Sequence, residues 1–232
     1  LWGEGYMSPG GKKEINRLLN GLDLTEKKIL DVGCGAGGIT LSLVKDYGAK
    51  EVIGVDVEED VVNSAIKRVV KNRLKDNIEI LLIGKSNLPF EDNCFDIVFS
   101  KDSFVHIPDK EKIFSQVFKV LKPGGFFVFS DWLISHDQKP SKEMEYYLEL
   151  EDLGFGMGSP LLYLSALNKS GFVSIKSNNR NKWYKEEARK ELQLLSGPAR
   201  KSYEEITSNN FIEDQIKTWK AMIRVLDTGE HC

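Results

Sequence analysis

Three glycines at alternate positions, Gly33, Gly35 and Gly37, follow the run Lys28-Ile29-Leu30-Asp31-Val32 and lead into Gly38. Without a Cβ, such a loop can turn sharply and bring its backbone against a ligand. A helix expected over about 38–47 would direct unpaired N–H groups at the same spot, favouring a carboxylate or phosphate there. A second apolar run, Glu51-Val52-Ile53-Gly54-Val55, ends on Asp56, 25 positions after Asp31. An acidic side chain at that place can accept both hydroxyls of a ribose. The chemistry these residues suit is the cradling of a nucleotide-type cofactor by Asp31, Gly33, Gly35, Gly37 and Asp56, with Val57 alongside.

Asp31 distinguishes this loop from a plain G-x-G-x-x-G. A carboxylate two residues ahead of the first glycine would repel a pyrophosphate but could pair with an ammonium, which suggests S-adenosylmethionine (SAM). In Asp31-Val32-Gly33-Cys34-Gly35-Ala36-Gly37 the chain resembles the first motif of the class I SAM-dependent methyltransferases. Asp56, then Leu88-Pro89-Phe90 through Phe95-Asp96-Ile97-Val98, then Leu121-Lys122-Pro123-Gly124-Gly125 extend that resemblance over about residues 26–132. The alternative left by the glycines alone is a Rossmann-like domain binding NAD or no cofactor.

A second constellation bears on the acceptor. Trp2-Gly3-Glu4-Gly5-Tyr6-Met7-Ser8-Pro9-Gly10-Gly11 and Ser100-Lys101-Asp102-Ser103-Phe104-Val105-His106 resemble the phosphoethanolamine N-methyltransferases, as does Ser130-Asp131-Trp132. That resemblance implies a loop over the cofactor carrying Tyr6 and Ser8, with Ser100 also on the cofactor side. It further implies that His106 takes the proton of the amine and that Asp102 holds the amine. From spacing alone, a helical turn would place Asp102 and His106 on one face, and an imidazole titrating near neutrality suits proton removal. Asp102 as a helix N-cap and His106 as a turn cap are the plainer readings. Ring faces attract a sulfonium or methylammonium, and the aromatic candidates are Tyr6, Trp132, Tyr146, Tyr147 and Phe155.

The chain departs from that family at three places. An acidic residue expected beside adenine is replaced by Gly84, leaving Lys85 or Asn87 for that contact. Where the phosphobase enzymes carry Gln-Arg-x-Tyr, this sequence reads Leu150-Glu151-Asp152-Leu153, and a carboxylate there would repel a phosphate dianion. A catalytic tyrosine of the family would fall before Leu1. The expected substrate side is therefore Tyr6, Trp132, Tyr147 and Glu151, suited to a small amine or amino acid rather than a phosphobase. A carbon or oxygen methyltransferase acting on a lipid- or quinone-like molecule, and a non-catalytic SAM sensor, are the alternatives.

The elements that would position these groups alternate. Helix 12–22 precedes strand 28–32, helix 38–47, strand 51–56, helix 59–73, strands 78–83 and 95–99, helix 109–120 and strand 126–131. Such alternation predicts an α/β, Rossmann-like, doubly wound and mostly parallel sheet with ligands at its carboxyl edge. Helices are expected at 141–153 and 159–170, a strand at 172–176, and helices at 183–205 and 209–226. This divides the chain into a covering segment (1–25), a SAM-binding core (26–176, with inserted helices about 141–170) and a helical cap (177–232). Both ends read as cut, with a final strand expected beyond residue 232.

With 41% hydrophobic residues and a formal charge of −3, the 232-residue chain can bury a core and lacks the basic balance of a nucleic-acid binder. Cys34, Cys94 and Cys232 form no C-x-x-C pair or histidine cluster, so neither a metal site nor a disulfide framework is expected. No run approaches the roughly 18–20 apolar residues of a spanning helix. A cytoplasmic monomer or homodimer acting on a small-molecule acceptor, with no nucleic-acid or membrane partner, is the resulting expectation.

Overall fold

The computed structural model describes residues 3–85, 87–152, 154, 156–198, 200–201 and 209–232. These fall into two compact units, one of residues 3–131 with 165–173, the other of residues 132–164 with 174–232.

The first unit is built on five parallel strands: β1 (Lys28–Val32), β2 (Glu51–Asp56), β3 (Ile78–Leu82), β4 (Phe95–Lys101) and β5 (Leu121–Ser130), in the order β3-β2-β1-β4-β5. The middle strands are buried along nearly their whole length, as a sheet covered on both faces requires. Helices α1 (Gly11–Leu18), α2 (Gly38–Lys45), α3 (Glu59–Lys71) and α4 (Lys110–Val120) alternate with them. On α3 the buried Val62, Ala65 and Val69 share one face, with acids in the first turn and bases in the last, which suits both burial and the helix dipole. Asp109 caps α4 by accepting from the Lys112 N–H at 2.9 Å. Register places the carboxyl ends of β2, β1 and β4 side by side, with Val32 opposite both Val55 and Ser100.

The second unit contains α5 (Lys142–Glu151), α7 (Asn181–Ser196) and α8 (Asn209–Thr228). Helix α6 (Pro160–Ser170) gives residues 160–164 to this unit and the rest to the first. Leu133 and Cys232 exchange backbone hydrogen bonds of 2.8 and 2.9 Å, so the end of the chain pairs with residues 133–135. Helix α5 stops at Asp152, whose φ is 47°.

Most expected elements form within a few residues, and two differ. Residues 172–176 are not a strand: β4 is the only strand that β5 pairs with among the described residues, and Phe172 packs its ring on Phe118 and Phe127 (centroids 5.2 and 5.4 Å) while Val173 is 84% exposed. An alternating pattern makes a strand only where a ladder partner exists. Of the helix expected at 183–205, α7 ends at Ser196 ahead of Gly197, and residues 199 and 202–205 lie outside the described residues.

Candidate functional site

The glycine loop joins β1 to α2. Gly33 has a φ of +72°, and a Cβ there would come within 2.3 Å of the Ser103 side chain. Gly38 is equally constrained, because a Cβ would meet the Gly5 carbonyl carbon at 2.5 Å. The Gly38 N–H donates to the Gly5 oxygen at 3.1 Å. The expected anion seat at this N–H is therefore occupied by protein: α2 is preceded by Gly37, which has no side chain to cap it, and a carbonyl from residues 3–10 does so instead.

Residues 3–10 form a strap across the loop. The Met7 Sδ accepts from the Ala36 N–H at 3.3 Å. Arg68, on α3, donates to the Ala36 carbonyl at 2.8 Å and pairs with Glu4 at 2.9 Å. At the other end the Lys101 Nζ donates to the Ser8 Oγ at 2.8 Å. The Tyr6 hydroxyl is buried and has no hydrogen-bond partner among the described residues.

Asp31 is only 1% exposed, and its Oδ2 accepts from the Thr40 hydroxyl at 2.7 Å. Burial pushes its carboxyl up to about 7; the Asp56 charge adds to this and the Thr40 bond opposes it. Asp56 is engaged by backbone: Oδ2 accepts from Gly35 at 2.9 Å, and Oδ1 from Val57 and Glu58 at 2.8 and 3.2 Å. A carboxylate offers about four acceptor positions, so Oδ2 retains room for a ribose hydroxyl. The Val57 side chain is 38% exposed, and Gly84, Lys85 and Asn87 lie exposed beyond β3. Ser100 differs from its expected place on the cofactor: it is fully buried, and its hydroxyl donates to the Val32 carbonyl at 2.8 Å, supporting the end of β1. Burial raises the Cys34 thiol far above its ordinary value, so it is no ready nucleophile.

Asp102 and His106 do not share the regular helical turn expected of them. Asp102 has a φ of +54°, and only Phe104–His106 form a short 3-10 turn. The Asp102 carboxylate is held by Lys101 through Oδ2 and by the Ser130 hydroxyl at 3.0 Å through Oδ1. The turn beyond it is clamped: the buried Lys110 donates to the Phe104 carbonyl at 2.7 Å and to that of Ile107, and the Asp131 Oδ1 accepts from the Val105 N–H at 3.1 Å. Burial lowers the Lys110 ammonium to about 8, with Asp131 opposing. His106 stands exposed at the end of this clamped turn.

Trp132, Tyr147 and Glu151 belong to the second unit. There the His231 ring lies 5.9 Å from that of Trp132, 5.6 Å from Tyr147 and 5.9 Å from Tyr184. Both His231 nitrogens and the Tyr147 hydroxyl are buried without hydrogen-bond partners among the described residues. Burial raises the Glu151 carboxyl. Tyr146 is on the outside, 37% exposed, whereas Trp2 and Phe155 lie outside the described residues.

Comparison with known proteins decides the class. A family model described as a methyltransferase domain matches residues 24–190. The chain belongs to this methyltransferase-domain family. The chain is 29% identical to phosphoethanolamine N-methyltransferase 1 of Zea mays, an alignment covering 99% of the chain and 45% of the relative. It is 30% identical to phosphoethanolamine N-methyltransferase 2 of Caenorhabditis elegans over 80% of the chain and 42% of the relative. It thus spans about half the length of the curated relatives it matches. Among solved structures, phosphoethanolamine N-methyltransferase 2 of Haemonchus contortus, in complex with phosphomonomethylethanolamine and S-adenosylhomocysteine, superposes with a TM-score of 0.91 at 25% identity, covering 99% of this chain and 53% of that one. A Galdieria sulphuraria protein provisionally described as a sarcosine dimethylglycine methyltransferase gives 0.80 at 25% identity, covering 95% and 80%.

The methyltransferase domain has no group of His, Cys, Asp or Glu suited to a metal ion among the described residues. No helix among them is long and apolar enough to cross a membrane. The sequence gives no separate role to Thr40, Arg68, Lys101, Lys110, Asp131 or the Met7 thioether, although Met7, Lys101 and Asp131 stand within the quoted motifs. Arg68, Met7, Lys101 and Asp131 act through contacts between distant segments, whereas Thr40 and Lys110 reach residues within nine positions of themselves.

Proposed function

We propose that this chain binds SAM across the β1–α2 loop beneath the strap and transfers its methyl group to the nitrogen of a small amine or amino acid. The observation that carries the reading is the row of strand ends: Asp56 closing β2, the glycine loop after β1, and Lys101 closing β4 ahead of Asp102 and the His106 turn, on three adjacent strands. The residues suit the cofactor: the Asp56 Oδ2 has acceptor capacity left, Asp31 offers a buried carboxyl to an ammonium, and the orphaned Tyr6 hydroxyl under the strap has a donor to give.

When bound, SAM supplies an electrophilic methyl group: the C–N bond forms as the C–S bond breaks, and the electron pair leaves on sulfur. The chain's task is mainly positioning. His106 takes the proton released from nitrogen, and the clamp of Lys110 and Asp131 fixes the turn that presents it. Asp102, with both oxygens tethered, holds the amine or an ordered water. Glu151 and the rings of Trp132 and Tyr147 are the residues proposed to select the acceptor, and Glu151 favours a cationic group over a phosphate dianion.

The named relatives favour a second acceptor, phosphoethanolamine. Transfer of labelled methyl from SAM to sarcosine, dimethylglycine, glycine and phosphoethanolamine separates the two. The proposal expects the carboxylated amines to be methylated and phosphoethanolamine to be poor. A clear preference for phosphoethanolamine would replace the first acceptor by the second, and cofactor binding without transfer to any amine would remove the amine reading.

A further inference from the structure

We propose that Lys101 is a positioning residue that couples closure of the strap to the setting of the Asp102 carboxylate, an inference that rests on the methyl-transfer reading above. Lys101 is the last residue of β4, yet its side chain is 3% exposed. A lysine at a strand end can ordinarily run its stem along the surface and leave its ammonium in water; a buried ammonium must find partners inside. Here they are the Ser8 hydroxyl at 2.8 Å, 93 residues away in sequence, and the Oδ2 of Asp102.

The neighbouring backbone is shaped for this arrangement. Asp102 adopts a φ of +54°, a region that residues other than glycine seldom occupy. Its N–H donates to the Ser130 carbonyl at 2.8 Å, and its Oδ1 accepts from the Ser130 hydroxyl. One ammonium therefore joins the strap to a carboxylate already tied to the end of β5. With Ser8 withdrawn, that ammonium keeps Asp102 as its partner and is free to turn, so Oδ2 loses its fixed reference. The other end of the strap is held independently, by Arg68 on Glu4 and on the Ala36 carbonyl. Among the described residues, the Ser8–Lys101 hydrogen bond thus joins the strap to the Lys101–Asp102 pair.

The test combines Lys101→Met, Lys101→Arg, Ser8→Ala and the Ser8→Ala/Lys101→Met double variant, each checked for folding by circular dichroism. S-adenosylhomocysteine affinity, hydrogen exchange of the amides in residues 3–10, and kcat at saturating SAM are measured. Lys101→Met is expected to weaken S-adenosylhomocysteine by about tenfold or more, the scale of a lost charge-assisted hydrogen bond, to speed exchange in the strap and to lower kcat. Lys101→Arg, which keeps the cation, should stay within about threefold of wild type in affinity. The double variant should bind no more weakly than Lys101→Met alone. Wild-type strap exchange in Lys101→Met, or losses that multiply in the double variant, would overturn the coupling. Should Lys101→Met fail to fold, Ser8→Ala decides: a fall in kcat at saturating SAM supports the link, and a change confined to the KM for SAM removes it. Cofactor binding by the wild type with no transfer to any amine would overturn the function reading instead, leaving the strap measurements readable.

Discussion

The Thr40 hydroxyl donates a 2.7 Å hydrogen bond to the Oδ2 of Asp31, tying the first turn of α2 to a carboxyl that is almost wholly buried in β1. That bond offsets only part of the desolvation, since the carboxyl still titrates at about 7. The group that the cofactor site relies on is therefore also a source of instability.

The sign of this effect is fixed by linkage. Asp31 holds its proton more tightly in the folded state, so its contribution to stability is full below its unfolded value near 4 and is lost as the pH rises through about 7. Asp31→Asn removes the charge at similar volume. Thermal melts should show the variant gaining at least about 2–4 °C over wild type at pH 8, the shift of roughly 1 kcal/mol in a chain of this size, and gaining less at pH 5. An equal gain at both pH values would refute the argument.

His231 shows the opposite linkage. Burial among Trp132, Tyr147 and Tyr184 lowers it to about 4. Its contribution is full above about 6.5 and lost as the pH falls toward 4. His231→Phe keeps an aromatic ring and removes two unpartnered nitrogens. It is expected to flatten the fall in denaturant midpoint between pH 7 and 4.5; a wild-type slope in the variant would place the acid sensitivity elsewhere.

Replacing Lys110 with Met strips two carbonyls of a donor, those of Phe104 and Ile107, in the turn that carries His106. The expected cost is about 1–3 kcal/mol of stability with a lowered kcat, and with S-adenosylhomocysteine binding reduced less than kcat. Calorimetry and steady-state rates check both parts. Weakened binding with undiminished kcat would contradict the assignment of this clamp to the acceptor side.

Arg68→Ala loosens the other end of the strap by removing both the Glu4 pair and the hydrogen bond to Ala36. The KM for SAM should rise about three- to tenfold, the scale of one lost hydrogen bond, with a smaller change in kcat. Because the Glu4 side chain is 71% exposed, added salt should narrow the difference between wild type and variant.

The five parallel strands, the glycine loop and the two acidic strand ends were legible in the sequence because each rests on a local rule: apolar runs, turn-forming glycines and alternation of elements. Asp102 was legible as a residue of interest but not in its conformation, since a φ of +54° follows from hydrogen bonds to Ser130 on another strand. Ser100 was expected on the cofactor side by resemblance, and strand pairing sets its hydroxyl on the Val32 carbonyl, a contact the sequence does not display. Lys101 and Lys110 carry no sequence signal of their burial: Lys101 meets Ser8 only through tertiary packing, and Lys110 turns back onto the carbonyls of Phe104 and Ile107. The segment 172–176 has a strand's alternation and lacks a strand's partner.

The central claim is that the β1–α2 cradle and the strap bind SAM for methylation of a small amine. Its most direct test is a calorimetric titration of the chain with S-adenosylhomocysteine, alone and with saturating sarcosine, dimethylglycine or phosphoethanolamine. The account predicts one-to-one binding in the wild type, a loss of about tenfold or more in Asp56→Ala, the scale of forfeited hydrogen bonds to a charged group, and tighter binding when one of the carboxylated amines is present. No heat of binding under any of these conditions, or binding indifferent to Asp56, would contradict it.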